Sequence, residues 1–228
     1  MKSHKHSDLI KAIFSDRART NLFKKQEQKA ITWLVQRIPP FITSDLLTGI
    51  GLVGNIIVAG SFVLAHFFNR AYLFLGLLGF LISWFGDSLD GRLAYYRNRP
   101  MKNYGFTLDI TIDWISIILI GLGYIIYAEG LWELFGYGFV VMYGWEMILA
   151  LIRYRITGKY SIDSGFMGPT EVRIIVGLIM IAEVFLPGSL VYSAAFVVLV
   201  LFLINIFDTN KLLRLAEEID KKELKEKS

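Results

Sequence analysis

Two pairs of aspartates, Asp87 with Asp90 and Asp109 with Asp113, interrupt otherwise apolar runs. Their spacings, i,i+3 and i,i+4, put each pair on one face of a helix. The stretch between them is polar and basic (Arg97, Arg99, Lys102) and holds Pro100, a helix breaker. The spacing therefore predicts an antiparallel hairpin, with Asp87 level with Asp113 and Asp90 level with Asp109. Ala94 then falls level with Gly105, and Gly91 lies beside Asp109, so small residues border the acids. Carboxylates held that close in a poorly hydrated place cannot all stay ionised unless cations offset them. Hard oxygen ligands in pairs favour Mg²⁺, Mn²⁺ or Ca²⁺ over softer metals. The small neighbours would let a phosphate-bearing ligand approach the backbone. The bland alternative is a set of interfacial acids, solvated or paired with Arg92 and Arg97. Acids inside a membrane are functional by default, which weighs against it.

The elements that must position these acids are membrane helices. The chain is 54% hydrophobic over 228 residues, too apolar for an ordinary soluble domain. It has no cysteine, which excludes thiolate zinc sites, disulfides and cysteine nucleophiles. Of its three histidines, His4 and His6 lie in a polar tail and His66 near the end of an apolar run, so a histidine metal site is not expected. Six apolar runs follow one another: about 46–68, 71–85, 104–128, 131–152, 169–187 and 189–207. Asp87 falls roughly 24 Å along the second helix, close to the far side of a hydrocarbon core about 30 Å thick. Gly49, Gly51 and Gly54 narrow the first run and permit close helix packing. Residues 1–40 form a basic tail without the apolar stretch of a signal peptide. Within it, Ile31, Trp33, Leu34, Val35 and Ile38 suit a helix lying in the membrane interface, ended by Pro39 and Pro40. Residues 41–208 form one six-helix unit, and 209–228 a charged tail. The predicted fold class is all-α, a polytopic membrane protein of six transmembrane helices with an N-terminal interfacial amphipathic helix.

The cations sort strongly by side. Lys and Arg cluster before the first run, between runs two and three, around the link between runs four and five, and after run six. Arg70 alone lies on the opposite side. That asymmetry places both termini and the acidic hairpin in the cytoplasm. Glu133 and Glu183 fall toward the outer interface, whereas Glu146 either faces the cavity or pairs with a basic neighbour.

The acidic stretch resembles the signature of the CDP-alcohol phosphotransferase (CDP-alcohol phosphatidyltransferase) family, D-x-x-D-G-x-x-A-R, a spacer, then G-x-x-x-D-x-x-x-D. Asp87, Asp90, Gly91, Ala94, Gly105, Asp109 and Asp113 match it position by position. Pro40, Thr43, Asp45, Leu47 and Thr48 are loosely similar to a further family segment. Tyr95 stands where the family has Arg, and Arg92, one turn earlier, is the expected stand-in, since Arg97 points elsewhere.

The resemblance implies transfer from a CDP-alcohol to an acceptor hydroxyl with release of CMP. It implies Asp87, Asp90, Asp109 and Asp113 as ligands of two Mg²⁺ or Mn²⁺ ions, with Asp113 also the catalytic base. It implies a nucleotide bordered by Asp87, Gly91, Ala94 and Gly105, and a homodimer. Arg153, Arg155, Lys159 and Arg173 lie on the same side and either hold an acceptor's phosphate or reflect ordinary positive-inside bias. The leading expectation is phospholipid synthesis, with a phosphatidyl group passing from CDP-diacylglycerol to a small polar alcohol, inositol phosphate or glycerol phosphate among the candidates. An alternative passes phosphocholine or phosphoethanolamine to a diacylglycerol-like lipid, and Gly168-Pro169-Thr170-Glu171 is weakly similar to a segment of those transferases. Prenyl transfer fits poorly with the Asp-Gly pair, and an ion transporter would carry its acids nearer the bilayer midplane.

Overall fold

The computed structural model describes residues 24–158 and 169–226, and every regular element within them is helical. Seven helices follow in order: α1 (Lys24–Val35), α2 (Ser44–Phe67), α3 (Leu73–Tyr96), α4 (Lys102–Tyr127), α5 (Glu133–Thr157), α6 (Pro169–Phe185) and α7 (Ser189–Glu226). Single 3₁₀ turns, Arg70–Tyr72 and Gly130–Trp132, lead into α3 and α5. Among the described residues, five helices (α2, α3, α4, α5 and α7) are long and apolar enough to cross a membrane, so the chain is an integral membrane protein. The fifth apolar run of the sequence forms α6, whose 17 residues extend about 25 Å.

Local chemistry sets the boundaries. The Thr43 hydroxyl accepts a hydrogen bond from Leu46 N and caps α2. Asn69 does the same for Ala71 N at the turn into α3. Pro100 falls between α3 and α4, as its missing N–H requires. Gly158 ends α5 at φ 68°, in the left-handed region that glycine tolerates.

Helix α2 is the central post. Glycines let α3 lie directly on it: a Cβ at Gly54 would come within 2.6 Å of Gly79 O, and one at Gly51 within 3.3 Å of Asp87 N. On another face of α2, a Cβ at Gly123 of α4 would come within 2.8 Å of Ala59 O. Asn55 and Ser116 tie α2 to α4 below the acids, through a buried hydrogen bond of 2.8 Å. Helices α3 and α4 pack far less on each other than each packs on α2. The expected hairpin is thus splayed, and its two acidic pairs face one another across a gap that α2 closes from one side.

Helix α1 is docked rather than merely resting on lipid. Ile31 and Val35 are fully buried with Leu47, Leu89 and Leu93, while Trp33 stays outside with the Arg37 guanidinium 3.8 Å over its ring. At the end of the bundle opposite the aspartates, the Glu183 carboxylate is 2% exposed. It accepts hydrogen bonds from Tyr127 Oη (2.7 Å), Gly188 N (3.0 Å) and Leu190 N (2.7 Å), with Arg70 3.6 Å away. Helix α7 continues without a break through Asp208 into the charged tail.

Candidate active site

Asp87 and Asp90 occupy the last turns of α3, and Asp109 and Asp113 the first turns of α4. One carboxylate oxygen from each of Asp87, Asp109 and Asp113 lies within 4.8 Å of the other two. Asp90 lines the same narrow cleft, and both its oxygens accept hydrogen bonds: Oδ2 from Thr48 Oγ1 of α2 at 2.7 Å and Oδ1 from Gly91 N at 2.5 Å. Three hard oxygen donors at that separation, with a fourth carboxylate alongside, fit a divalent cation.

The cleft opens into a cavity of about 170 Å³ that runs between α2, α3, α4, α5, α6 and α7. Its polar end carries Asp87, Asp109, Asp113 and Arg173, and its deeper wall is apolar, with Phe62, Ile120, Val176 and Leu190. From α6, Arg173 Nη2 reaches Asp87 Oδ2 at 2.6 Å. Among the polar lining residues that escaped the sequence reading are Tyr143 and Glu27. Tyr143 of α5 faces it from one side. Glu27 of α1 faces it from another, accepting a 3.0 Å hydrogen bond from Thr170 Oγ1 at the start of α6. One tyrosine among eleven, and one acid in a polar stretch, carry no spacing signal.

The small residues of the motif border open ground. A Cβ built on Gly91 or Gly105 meets nothing within 4 Å, and Ala94 is half-buried one turn beyond Asp90. Arg92, the expected stand-in for the family arginine, is 4% exposed and does not line the cavity. Tyr95 is half-buried. Arg97 turns away from the acids and donates to Pro39 O at 2.9 Å, tying the α1–α2 link to the end of α3.

The four basic residues expected at an acceptor do not stay together. Arg173 lines the cavity, whereas Arg153 pairs with Asp208 at 3.3 Å between α5 and α7. Arg155 is exposed, and Lys159 lies outside the described residues. Glu146 does not line the cavity either. It is 8% exposed, with Arg153 and Asp208 as charged neighbours.

A family model for CDP-alcohol phosphatidyltransferase matches residues 41–207, nearly the whole membrane-embedded portion and all four aspartates. The chain belongs to that family. It is a CDP-alcohol phosphatidyltransferase-family enzyme, and the aspartate cluster is consistent with the family's metal site. The chain is also similar to Cholinephosphotransferase 1 of Danio rerio, 31% identical over 110 residues. That match takes in 45% of this chain and 28% of the fish protein, so the chain spans little more than a quarter of that relative's length.

Proposed function

We propose that this enzyme makes a phospholipid by moving a substituted phosphoryl group between a lipid and a small polar alcohol. The transfer runs from a CDP-alcohol to a hydroxyl, with CMP leaving. One observation carries the reading: the three-carboxylate cluster sits at the polar end of a cavity whose other end is apolar. A reaction that joins a lipid to a water-soluble partner needs both characters in one space.

In the first form of this reading, CDP-diacylglycerol is the donor and the small alcohol the acceptor. In the second, a CDP-aminoalcohol is the donor and a diacylglycerol-like lipid the acceptor. The second is favoured by the name of the fish relative and by Thr170, part of the Gly-Pro-Thr-Glu segment, lining the cavity. In both, Asp87, Asp90, Asp109 and Asp113 hold two Mg²⁺ or Mn²⁺ ions. Such ions neutralise charge that builds on the diphosphate as it breaks. Asp113 takes the proton of the attacking hydroxyl. Gly91, Ala94 and Gly105 leave room for the nucleotide beside Asp87.

The membrane arrangement follows the same logic. We assign six spans, α6 being the sixth, with both termini and the site facing the cytoplasm. The distribution of Lys and Arg along the chain supports that sidedness. The test is purified enzyme with Mg²⁺ or Mn²⁺, offered CDP-diacylglycerol with a panel of small alcohols, and CDP-aminoalcohols with diacylglycerol. CMP is expected only when donor and acceptor are both present. Absence of acceptor-dependent CMP from every pairing overturns the reading.

A further inference from the structure

We propose that Tyr143 of α5 is a further catalytic residue, its hydroxyl donating a hydrogen bond to the phosphoryl group that is transferred. The inference rests on the transferase reading above and adds to it a residue outside the aspartate signature.

Packing sets where the phenol stands. A Cβ at Gly144 would come within 2.8 Å of the Trp114 indole, so α4 and α5 pass closely at this level. Trp114 directly follows Asp113 on α4, and Tyr143 directly precedes Gly144 on α5. The close crossing therefore brings the Tyr143 and Asp113 positions to one height in the bundle. One turn earlier on α5, Phe139 supports the phenol, with ring centroids 6.0 Å apart. Both rings line the cavity. The charged groups around the Tyr143 hydroxyl are Asp113, Arg173 and Asp87, with Glu146 one turn along its own helix. The hydroxyl thus belongs to the polar end of the cavity, where the reaction takes place.

Hydrogen-bonding capacity gives it a role there. Ionised carboxylates only accept, so the aspartates themselves offer nothing to a phosphoryl oxygen. Other donors of the lining are engaged: Asn55 donates to Ser116 at 2.8 Å, Thr170 to Glu27 at 3.0 Å and Arg173 to Asp87 at 2.6 Å. A phenol adds a donor without adding a buried charge. Charge spreads over the equatorial oxygens of the phosphoryl group as it moves, and a fixed donor aimed at one of them lowers the barrier. In that step the acceptor oxygen bonds to the β-phosphorus. The bond from that phosphorus to the bridging oxygen breaks, and its electron pair leaves with CMP. The proton of the attacking hydroxyl passes to Asp113, while Tyr143 keeps its own proton throughout.

The test compares the full-length wild type with Tyr143→Phe, which keeps the ring against Phe139 and removes only the hydroxyl. Both proteins are assayed with Mg²⁺ on CDP-diacylglycerol with glycerol 3-phosphate or glycerol, and on CDP-choline with diacylglycerol. In the pairing that wild type turns over, kcat should fall by about tenfold to a hundredfold, the weight of one hydrogen bond to a charged group. KM for both substrates, the melting curve and its shift with Mn²⁺ should change little. A second readout uses the same donor with sulfur in place of one non-bridging oxygen on the β-phosphorus, as separate diastereomers. Sulfur accepts hydrogen bonds poorly, so the gap between the two proteins should narrow for one diastereomer and persist for the other. A Tyr143→Phe protein with wild-type kcat overturns the inference. So does a loss confined to KM or to thermal stability, which makes the hydroxyl a packing or binding group, and so does a gap that is the same for both diastereomers. Each of these leaves the transferase reading standing. Wild type that releases no CMP in any pairing overturns that reading itself.

Discussion

Arg173 and Asp87 form an ion pair across the mouth of the cavity, Nη2 to Oδ2 at 2.6 Å, joining α6 to α3. Their side chains are 17% and 29% exposed, so the pair is partly shielded from water. The guanidinium thereby offsets one acid of the cluster before any ion binds, and it ties a helix outside the aspartate motif to the motif itself.

Loss of that pair should therefore show first in the metal-free protein. Arg173→Gln leaves Asp87 beside Asp109 and Asp113 with less compensation. In EDTA the variant should lose about 1–3 kcal/mol, less than for a fully buried pair because both groups keep some solvent. Mn²⁺ or Mg²⁺ should then stabilise it more than wild type. Tryptophan-fluorescence melting with and without metal measures both, and an equal metal-induced shift in the two proteins would contradict the assignment.

Thr48 tests the fourth aspartate. Its hydroxyl donates to Asp90 Oδ2 at 2.7 Å from a helix that contributes no acid to the cleft. Thr48→Val keeps the shape and removes the donor, which should weaken metal affinity by about fivefold to tenfold, the value of one hydrogen bond to a charged group. Thr48→Ser should retain most of it. Titration of activity and of the melting temperature against Mn²⁺ reads the difference.

How much of this was legible in the sequence depends on whether the information is local. The aspartate spacing, Pro100 and two of the three α2 glycines, Gly51 and Gly54, are local patterns that reappear as a face, a break and a close crossing, whereas Gly49 meets nothing within 4 Å. Which helices pack together is not local. The hairpin periodicity implied that α3 and α4 meet along their length, but α2 takes the flank of each. Arg153 and Arg173 are equally basic in the sequence, and tertiary packing alone sends one to Asp208 and the other to Asp87. Glu27 could not be found for the same reason, because its place at the cavity follows from α1 docking through Ile31 and Val35.

Close packing of α2 on α3 predicts a sharp contrast between two glycines of one helix. A methyl at Gly54 would lie 2.6 Å from Gly79 O, a backbone atom that cannot move aside alone. Gly54→Ala should cost about 1–3 kcal/mol through overpacking. It should also lower activity, because α3 carries Asp87. A methyl at Gly49 meets nothing within 4 Å, so Gly49→Ala should be neutral or slightly stabilising. Melting curves of the two variants, side by side, decide it.

Asp113→Asn separates binding from chemistry. The amide keeps the shape of the side chain, so the protein should still fold and bind CMP in the presence of Mg²⁺. The proton of the attacking hydroxyl then has no acceptor at that position, and CMP release should fall by about a hundredfold or more. Turnover that persists near the wild-type rate would remove Asp113 as the base while leaving its place in the metal cluster open to a binding assay.

The Glu183 cluster sits at the far end of the bundle from the aspartates, and its effects should be mechanical. Its carboxylate gathers Tyr127 Oη, the backbone N–H groups of Gly188 in the α6–α7 turn and Leu190 at the start of α7, and Arg70. Gly188, one of those donors, adopts φ 91°, so the turn is shaped around the acid. Glu183→Ala orphans several buried donors at once and should cost about 3 kcal/mol or more. Tyr127→Phe removes a single bond and should cost about 1 kcal/mol. Helix α6 also carries Arg173 at its other end, so loosening the turn should weaken metal-free stability and catalysis together in Glu183→Ala. Tyr127→Phe should leave the Arg173–Asp87 pair in place, with near-normal dependence on Mg²⁺. A Tyr127→Phe protein as unstable as Glu183→Ala would show that the tyrosine, not the carboxylate, organises this end.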